Sequence, residues 1–417
     1  MGGDSKNIDG WLLGVCTARV FTYLVFMAYP AALPVLRDQW GMSGAAAGSI
    51  STGFQLGYAV SLVFFSELAD RLGAKRVFLW SQFLTAATAL LFAVFARTYH
   101  SGLFLYTLVG LSMGGTYPPA LMMIAGRYPS ARRGRAMGFF IASTSVGYAL
   151  SLGISGLVLS RAGYPTCFLL TCLGPTVGLL LAWLALGSTP NRTFPRLQDQ
   201  GFSREVLHNK TAVLYVAGYT FHSWELLGMW AWTPAFVSAC LVKGGAGISK
   251  AAGNGAYIVS SFHLMGVVAS LSMGSLSDRF GRASVILLVG SVSAACSFTM
   301  GWSIRFPTVF VIALGMIYAF SALGDSPILS AGLTESVSTA YLGAAFALRS
   351  LLGFGAGAIS PLAFGAVLDI LNPARSQGTG YASWGWAYGV FGLGGLGVVL
   401  VAYLLEKAES RESGFPE

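Results

Sequence analysis

The sequence predicts an all-α membrane protein whose twelve transmembrane helices form two pseudo-symmetric bundles of six. Three observations predict it. Of the 417 residues, 55% are hydrophobic and 10% charged, with a mean hydropathy of +0.67, far from the balance of a water-soluble domain. The apolar runs are long enough to cross a bilayer as helices, which takes about 20 residues each, and they count as six plus six. A charged turn also recurs 208 residues apart, at the same place in each group of six.

The runs lie at 11–36, 44–69, 75–97, 101–126, 134–160 and 164–187, then at 211–239, 252–277, 282–304, 306–331, 339–367 and 382–405, between polar or Pro/Gly breaks. A lipid-facing backbone must satisfy its own polar groups, so each run reads as a helix. The one long polar stretch, Gly187 to Lys210, carries Pro190, Arg192, Pro195, Arg196, Asp199 and Arg204 and separates the two groups. The expected organisation is an N-terminal bundle at 1–187, a cytoplasmic linker at 188–210 and a C-terminal bundle at 211–417. The 54 glycines, set among Leu, Val, Ala and Phe, read as packing surfaces between close helices.

With the N-terminus inside, inner segments hold 16 Lys and Arg and outer loops seven, so the positive-inside rule puts both termini in the cytoplasm and the chain in the cell inner membrane. The net charge of +9 is then a matter of topology. Nucleic acid is not an expected partner, because the basic residues are scattered over separate loops without interleaved aromatics. Met1 to Gly10 is polar and lacks the basic lead-in of a cleaved signal peptide. Cys16, Cys167, Cys172, Cys240 and Cys296 all fall in apolar stretches without zinc-site spacing, so no metal or cofactor is expected. The chain has no GxxxxGK[ST], HExxH or GxSxG, which argues against ATP-driven transport and against an enzyme.

The repeated turn reads Ser66-Glu67-Leu68-Ala69-Asp70-Arg71-Leu72-Gly73-Ala74-Lys75-Arg76 after span 2 and Gly274-Ser275-Leu276-Ser277-Asp278-Arg279-Phe280-Gly281-Arg282 after span 8. Duplicated transporter folds repeat a feature in this way. At these residues the chain resembles the major facilitator superfamily, whose loop motif Gly-x-Leu-Ala-Asp-Arg-x-Gly-Arg-Lys lies between spans 2 and 3 and, more weakly, between 8 and 9. The first copy departs from it at Ser66 and Ala74, whereas the second keeps Gly274, Gly281 and Arg282. The resemblance implies a secondary carrier with alternating access. It also implies a gating role for Asp70, Arg71, Gly73, Lys75, Asp278, Arg279, Gly281 and Arg282. Physically, the glycines end a helix or open a turn, the aspartates accept from a neighbouring helix start, and Arg71, Lys75, Arg279 and Arg282 bridge adjacent helices. A set of solvated charges that only fixes topology is the plainer alternative.

Six ionisable residues fall inside spans: Arg19, His222, Glu225, His263, Asp325 and Arg349. A charge at mid-membrane costs about 2.5–3.5 kcal/mol on insertion scales, so such groups face a protein interior or a water cavity. On span 7, His222, Glu225, Met229 and Trp232 share one helical face, expected to line that cavity. Arg19, Thr22, Tyr23, Phe26 and Pro30 on span 1, and Tyr318, Ser321 and Asp325 on span 10, form similar faces. The repeat offset aligns His263 with Gln55 and Asp325 with Tyr117, leaving five of the six groups in the C-terminal half, where proton coupling is therefore expected.

In the superfamily, spans 1, 4, 7 and 10 surround the central cavity. The resemblance thus puts Arg19, Tyr117, Glu225 and Asp325 on cavity helices, with Arg349 and His263 reaching in from the flanks. The candidate substrate or coupling residues are Arg19, Tyr23, Tyr117, His222, Glu225, Trp232, His263, Tyr318, Asp325 and Arg349. Guanidinium forks suit an oxyanion, and buried carboxylates and imidazoles suit proton transfer. The expected function is H⁺-coupled transport of a small organic or inorganic anion by a monomer in the lipid bilayer. Two alternatives stand beside it. One is efflux of a drug-like or cationic compound through Glu225 and Asp325, against which span 5 lacks the Gly-Pro of such family members. The other is a non-transporting receptor or assembly factor on the same scaffold. A purely structural alternative makes Arg19–Asp325 and Glu225–Arg349 neutralising pairs.

Overall fold

The computed structural model describes residues 9–193, 206–338, 341–373 and 383–412. Lys6, Pro195, Arg196, Asp199, Arg204 and Arg375, which entered the charge and linker expectations, lie outside the described residues.

Helix α1 runs Gly10–Gln39. Asp9 caps it, accepting the Leu12 N–H at 2.8 Å, which satisfies one of the orphan donors of a helix start. Pro30 has no N–H for the Phe26 carbonyl, and the helix breaks just before it at the 3₁₀ turn Tyr23–Val25. The Tyr106 hydroxyl takes up the freed Phe26 carbonyl at 2.6 Å. Helices α2 and α3 are Gly44–Leu72 and Ala74–Phe95. Helix α4, Tyr99–Arg127, breaks at Gly114–Thr116 ahead of Pro118 and Pro119.

From Ser130 the helix continues almost without interruption to Ala185. A straight helix of the 54 residues from Arg132 to Ala185 would run about 80 Å, well over twice the hydrocarbon thickness. Gly163, with φ +73°, breaks it into α5 (130–162) and α6 (164–185). The second half follows as α7 Lys210–Lys243, α8 Ile248–Phe280, α9 Arg282–Arg305, α10 Thr308–Ser336, α11 Leu342–Leu371 and α12 Gly385–Glu412. With the Arg132–Ala185 helix divided at Gly163, that makes twelve spans among the described residues. The helices overrun the expected apolar limits by a few residues at most ends, because polar caps and final turns belong to the helix without being hydrophobic.

The halves meet along α2–α11 and α5–α8. Small residues permit the approach: a Cβ on Gly48 would sit 2.2 Å from the Pro361 carbonyl oxygen, and one on Gly365 2.1 Å from that of Gly44. At the same end, the Asp369 carboxylate of α11 accepts the Gly44 and Ala45 N–H groups of α2 at 2.7 and 2.8 Å, capping a helix of the other half. Ring pairs continue the seal to mid-membrane, where Tyr58 meets Phe354 at 5.4 Å. The cavity between the halves has Tyr58 and Phe354 in its wall and runs from Gln55 and Trp230 toward the face that carries the start of α1.

Candidate functional site

A cavity of about 170 Å³ lies between the halves. From one half come residues of α1, α2, α4 and α5, among them Arg19, Tyr23, Gln55, Tyr58, Tyr117, Thr144 and Tyr148. From the other come residues of α7, α8, α10 and α11, among them Tyr219, His222, Trp230, Ser326, Arg349 and Phe354.

Each half contributes one guanidinium. Arg19 donates from Nε to Thr144 Oγ1 at 2.6 Å and lies over Phe140, Tyr23 and Tyr117 at 4.2, 4.4 and 5.0 Å. Arg349 donates from Nη1 to Ser330 Oγ at 2.6 Å and lies over Tyr219 and Phe346 at 3.9 and 4.5 Å. Ring faces hold a desolvated cation by about 2 kcal/mol without cancelling its charge. Arg19 Nη1 and Arg349 Nε are buried without a hydrogen-bond partner among the described residues. The neutralising pairs Arg19–Asp325 and Glu225–Arg349 are not formed. Both carboxylates are engaged elsewhere in the C-terminal half.

His222 Nδ1 is 2.7 Å from Asp325 Oδ1, and both side chains are buried. The contact is at ion-pair distance, although Asp325 Oδ1 makes no hydrogen bond within the described residues. His222 is in the cavity wall with Asp325 directly behind it. Glu225 points away from the cavity toward α9, where Ser293 and Ser297 donate to its Oε1 at 2.8 and 2.5 Å. Ser297 also lies 2.7 Å from the Tyr318 hydroxyl. Met229, His263 and Tyr318 line a separate void of about 10 Å³, in which His263 packs between the rings of Tyr148 and Trp230. Trp232 is a core residue whose N–H donates to the Pro361 carbonyl at 2.9 Å and whose ring packs on Phe364.

The expected cavity face of α7 is therefore displaced. The observed face is Tyr219, His222, Ser223, Leu226, Leu227 and Trp230, rotated by about a third of a turn from the expected one at 100° per residue. Of the α7 candidates only His222 reaches the cavity. Trp230, Tyr219, Tyr58, Tyr148 and Thr144 were not selected by sequence reasoning. Tyr219 and Trp230 fall three residues before and eight after His222, so the periodicity contained them, but a helix buried on nearly every side offers no polar face to set the phase.

The two charged turns are built differently. Gly73 and Gly281 have φ of +93° and +89°, a region that favours glycine, and each ends its helix. At the first turn Lys75 Nζ donates to the carbonyls of Gly187 and Thr189 at 3.2 and 2.8 Å. Asn191 donates to the Leu72 carbonyl at 2.8 Å and accepts the Arg76 N–H at 3.1 Å. Arg71 pairs with Glu67 of its own helix rather than bridging outward. At the second turn Arg282 makes a two-pronged pair with Glu335 of α10 at 2.6 and 2.5 Å and meets Asp278 at 3.1 Å. Among the described residues Arg279 bridges nothing and lies over the neighbouring Phe280 ring. These two arginines stay local because the last turn of a spanning helix points them into solvent.

The family model described as Major Facilitator Superfamily matches residues 15–320. The chain is 24% identical over 397 residues to a probable 4-methylmuconolactone transporter of Cupriavidus pinatubonensis, covering 92% of this chain and 87% of the relative. It is 23% identical over 386 residues to a probable sulfoacetate transporter, SauU, of Cupriavidus necator, covering 86% and 87%. Among solved structures it resembles a D-xylose-proton symporter with a TM-score of 0.73 at 16% identity, covering 95% and 98% of the two chains, a likeness of fold alone.

Proposed function

Because the chain belongs to the Major Facilitator Superfamily, and so is a multi-pass membrane transporter rather than an enzyme, we propose that it carries a small anion together with H⁺. On this reading the bundles at 1–187 and 211–417, joined through 188–210, rock about the central cavity. Both termini face the cytoplasm of the inner membrane, and the structure is the inward-facing state.

One observation carries the reading. Two guanidiniums, one from each half, enter a single cavity whose described lining includes no carboxylate, and each keeps a buried N–H unpaired. A guanidinium stays charged at any working pH, so such a cavity favours an oxyanion and disfavours a cation. The relative named for sulfoacetate, itself an anion, agrees with this sign. Proton coupling falls to His222–Asp325, an imidazole in the cavity wall with a carboxylate directly behind it. Cation efflux has no unpaired carboxylate at the wall to work with.

In liposomes with an inside-alkaline pH gradient, Arg19→Ala and Arg349→Ala are each expected to lower anion uptake at least tenfold. Arg19→Lys is expected to restore only part of it, since an ammonium lacks the planar fork. Normal anion transport by Arg19→Ala, or transport of cations unaffected by anions, sinks the proposal.

A further inference from the structure

Besides the two arginine atoms, two more cavity-lining polar atoms are buried without a partner among the described residues: Gln55 Oε1, an acceptor, and Trp230 Nε1, a donor. Unpaired buried polar groups are costly, and natural interiors contain few. Such atoms occur elsewhere among the described residues too, but four gather around this one cavity, two from each half. They fall at two levels. Arg19 and Arg349 are nine and seven residues from the starts of their helices, about 10–14 Å from the open face at 1.5 Å per residue. Gln55 lies 17 residues before the end of α2 and Trp230 lies 20 after the start of α7, about 26–30 Å from that face. Two cationic donors thus sit nearer the opening, and a donor–acceptor couple lies two or more helical turns deeper.

Between the levels Tyr58 and Phe354 pair across the halves, and at the deeper level Phe26 meets Tyr148 at 4.5 Å between ring centroids and Tyr148 meets Trp230 edge-on at 5.0 Å. Offset and edge-on packing of this kind continues readily onto one more ring, whereas a flexible aliphatic chain finds no matching surface.

We propose that the cargo is a flat, ring-bearing carboxylate with a hydroxyl or carbonyl at the end remote from the carboxylate. The carboxylate accepts from Arg19 Nη1 and Arg349 Nε, the ring packs against Tyr58, Phe354 and Phe26, and the remote group pairs with Gln55 Oε1 or Trp230 Nε1. A hydroxyl satisfies both deep atoms at once, because it donates and accepts. The class rests on the anion reading above and narrows it: inorganic anions and short aliphatic acids fill only the cationic level.

The test is uptake of labelled 4-hydroxybenzoate by the full chain in liposomes, with unlabelled benzoate, 4-hydroxycinnamate, cyclohexanecarboxylate and sulfate as competitors. Thermal stabilisation of the detergent-solubilised wild-type protein by the same compounds gives a readout independent of any variant. The hydroxylated aromatic acids are expected to compete at least tenfold better than cyclohexanecarboxylate and severalfold better than benzoate. In Gln55→Leu the preference for 4-hydroxybenzoate over benzoate is expected to shrink to within twofold. Equal competition by aromatic and saturated rings, or an unchanged hydroxyl preference in Gln55→Leu, overturns the ring-and-hydroxyl inference while the anion reading stands. If no carboxylate or sulfate binds or competes, the anion reading fails together with it.

Discussion

The same seam is built twice in this molecule with different chemistry. Between α1 and α3 a buried Thr22 hydroxyl donates to Gln82 Oε1 at 2.9 Å, a neutral pair. Between α7 and α9 the buried groups are the Glu225 carboxylate and two serine hydroxyls. The repeat offset gives the same contrast elsewhere: Gln55 and Tyr117 of the first half line the cavity, while their counterparts His263 and Asp325 sit in a side void and behind His222. At these aligned positions the first half carries neutral donors and acceptors and the second titratable groups, which suits the proton role proposed for the second half, while the two arginines of the cavity come one from each half.

Aligned residues give the hardest test of that division. Asp325→Asn is expected to lower pH-driven accumulation by about 100-fold, the lower end of the range for loss of a proton-transfer group, while cargo exchange at equal pH persists. Tyr117→Phe, its repeat partner, is expected to change accumulation and exchange together and by no more than about tenfold. Parallel uptake and counterflow assays on the two variants decide it. Equal effects on both assays from Asp325→Asn would break the comparison.

The two inter-half seams differ as well. Asp369 ties α11 to the start of α2, but its repeat counterpart Arg161 on α5 is exposed and bonds only the Leu157 carbonyl of its own helix. A carboxylate at a helix start is stabilising by about 1 kcal/mol, and a cation there is not. Asp369→Ala is therefore expected to populate the state open at this face severalfold more than wild type. Arg161→Ala is expected to leave the populations as they are. Spin labels on the exposed sites Asp38→Cys and Ser249→Cys report the separation of the halves. An unchanged distance distribution in Asp369→Ala rejects the latch.

The turns after α2 and α8 sharpen the contrast at smaller scale. The first is strapped by neutral amide and carbonyl partners from 187–191, the second by the ion pair Arg282–Glu335, whose glutamate side chain is 60% exposed. Exposed pairs contribute about 1 kcal/mol or less and weaken with salt. Glu335→Gln is expected to lower the melting temperature by roughly 2 °C in dilute buffer and by less at 0.5 M NaCl. Asn191→Ala is expected to act independently of salt. Melts at the two ionic strengths check both.

What was legible in the sequence follows from how local each signal is. Span number, the break between 160 and 164 and the duplicated turn depend on runs of apolar residues and on neighbours a few positions apart, so they could be read directly. The buried charges stood out because bilayers exclude them. Their partners did not, since Glu225 with Ser293, or Arg349 with Ser330, are pairs across helices that no periodicity encodes. Trp232 was preferred to Trp230 because Glu225 was taken to mark the cavity side of α7. In fact that carboxylate is satisfied by serines on the opposite flank. Arg19 stands out in the sequence for its cost in a bilayer, but its cage of Tyr23, Tyr117 and Phe140 needs the folded bundle.

The smallest expected effect concerns the first caps of the two halves. Asp9 caps α1, and Asn209 caps α7 by accepting the Ala212 N–H at 3.1 Å while donating to the Ser336 carbonyl at 2.7 Å. Partial burial raises the Asp9 pKa, but the Leu12 N–H, the Tyr128 hydroxyl and the Arg127 charge outweigh it and leave the carboxyl below its usual value. A carboxyl lowered by folding stabilises the fold above its unfolded pKa, and that contribution fades as the pH falls through the folded one. Asp9 is well exposed to solvent, so the contribution is only about 0.3 kcal/mol. Acid melts from pH 5 to pH 3 are expected to show a slightly flatter slope in Asp9→Asn than in wild type, because the amide keeps the cap without titrating. The reverse change, Asn209→Asp, is expected to cost more, since its second oxygen would face the Ser336 carbonyl where the amide now donates. If Asp9→Asn steepens the acid slope, or Asn209→Asp is neutral, the two caps are not the distinct devices that their partners imply.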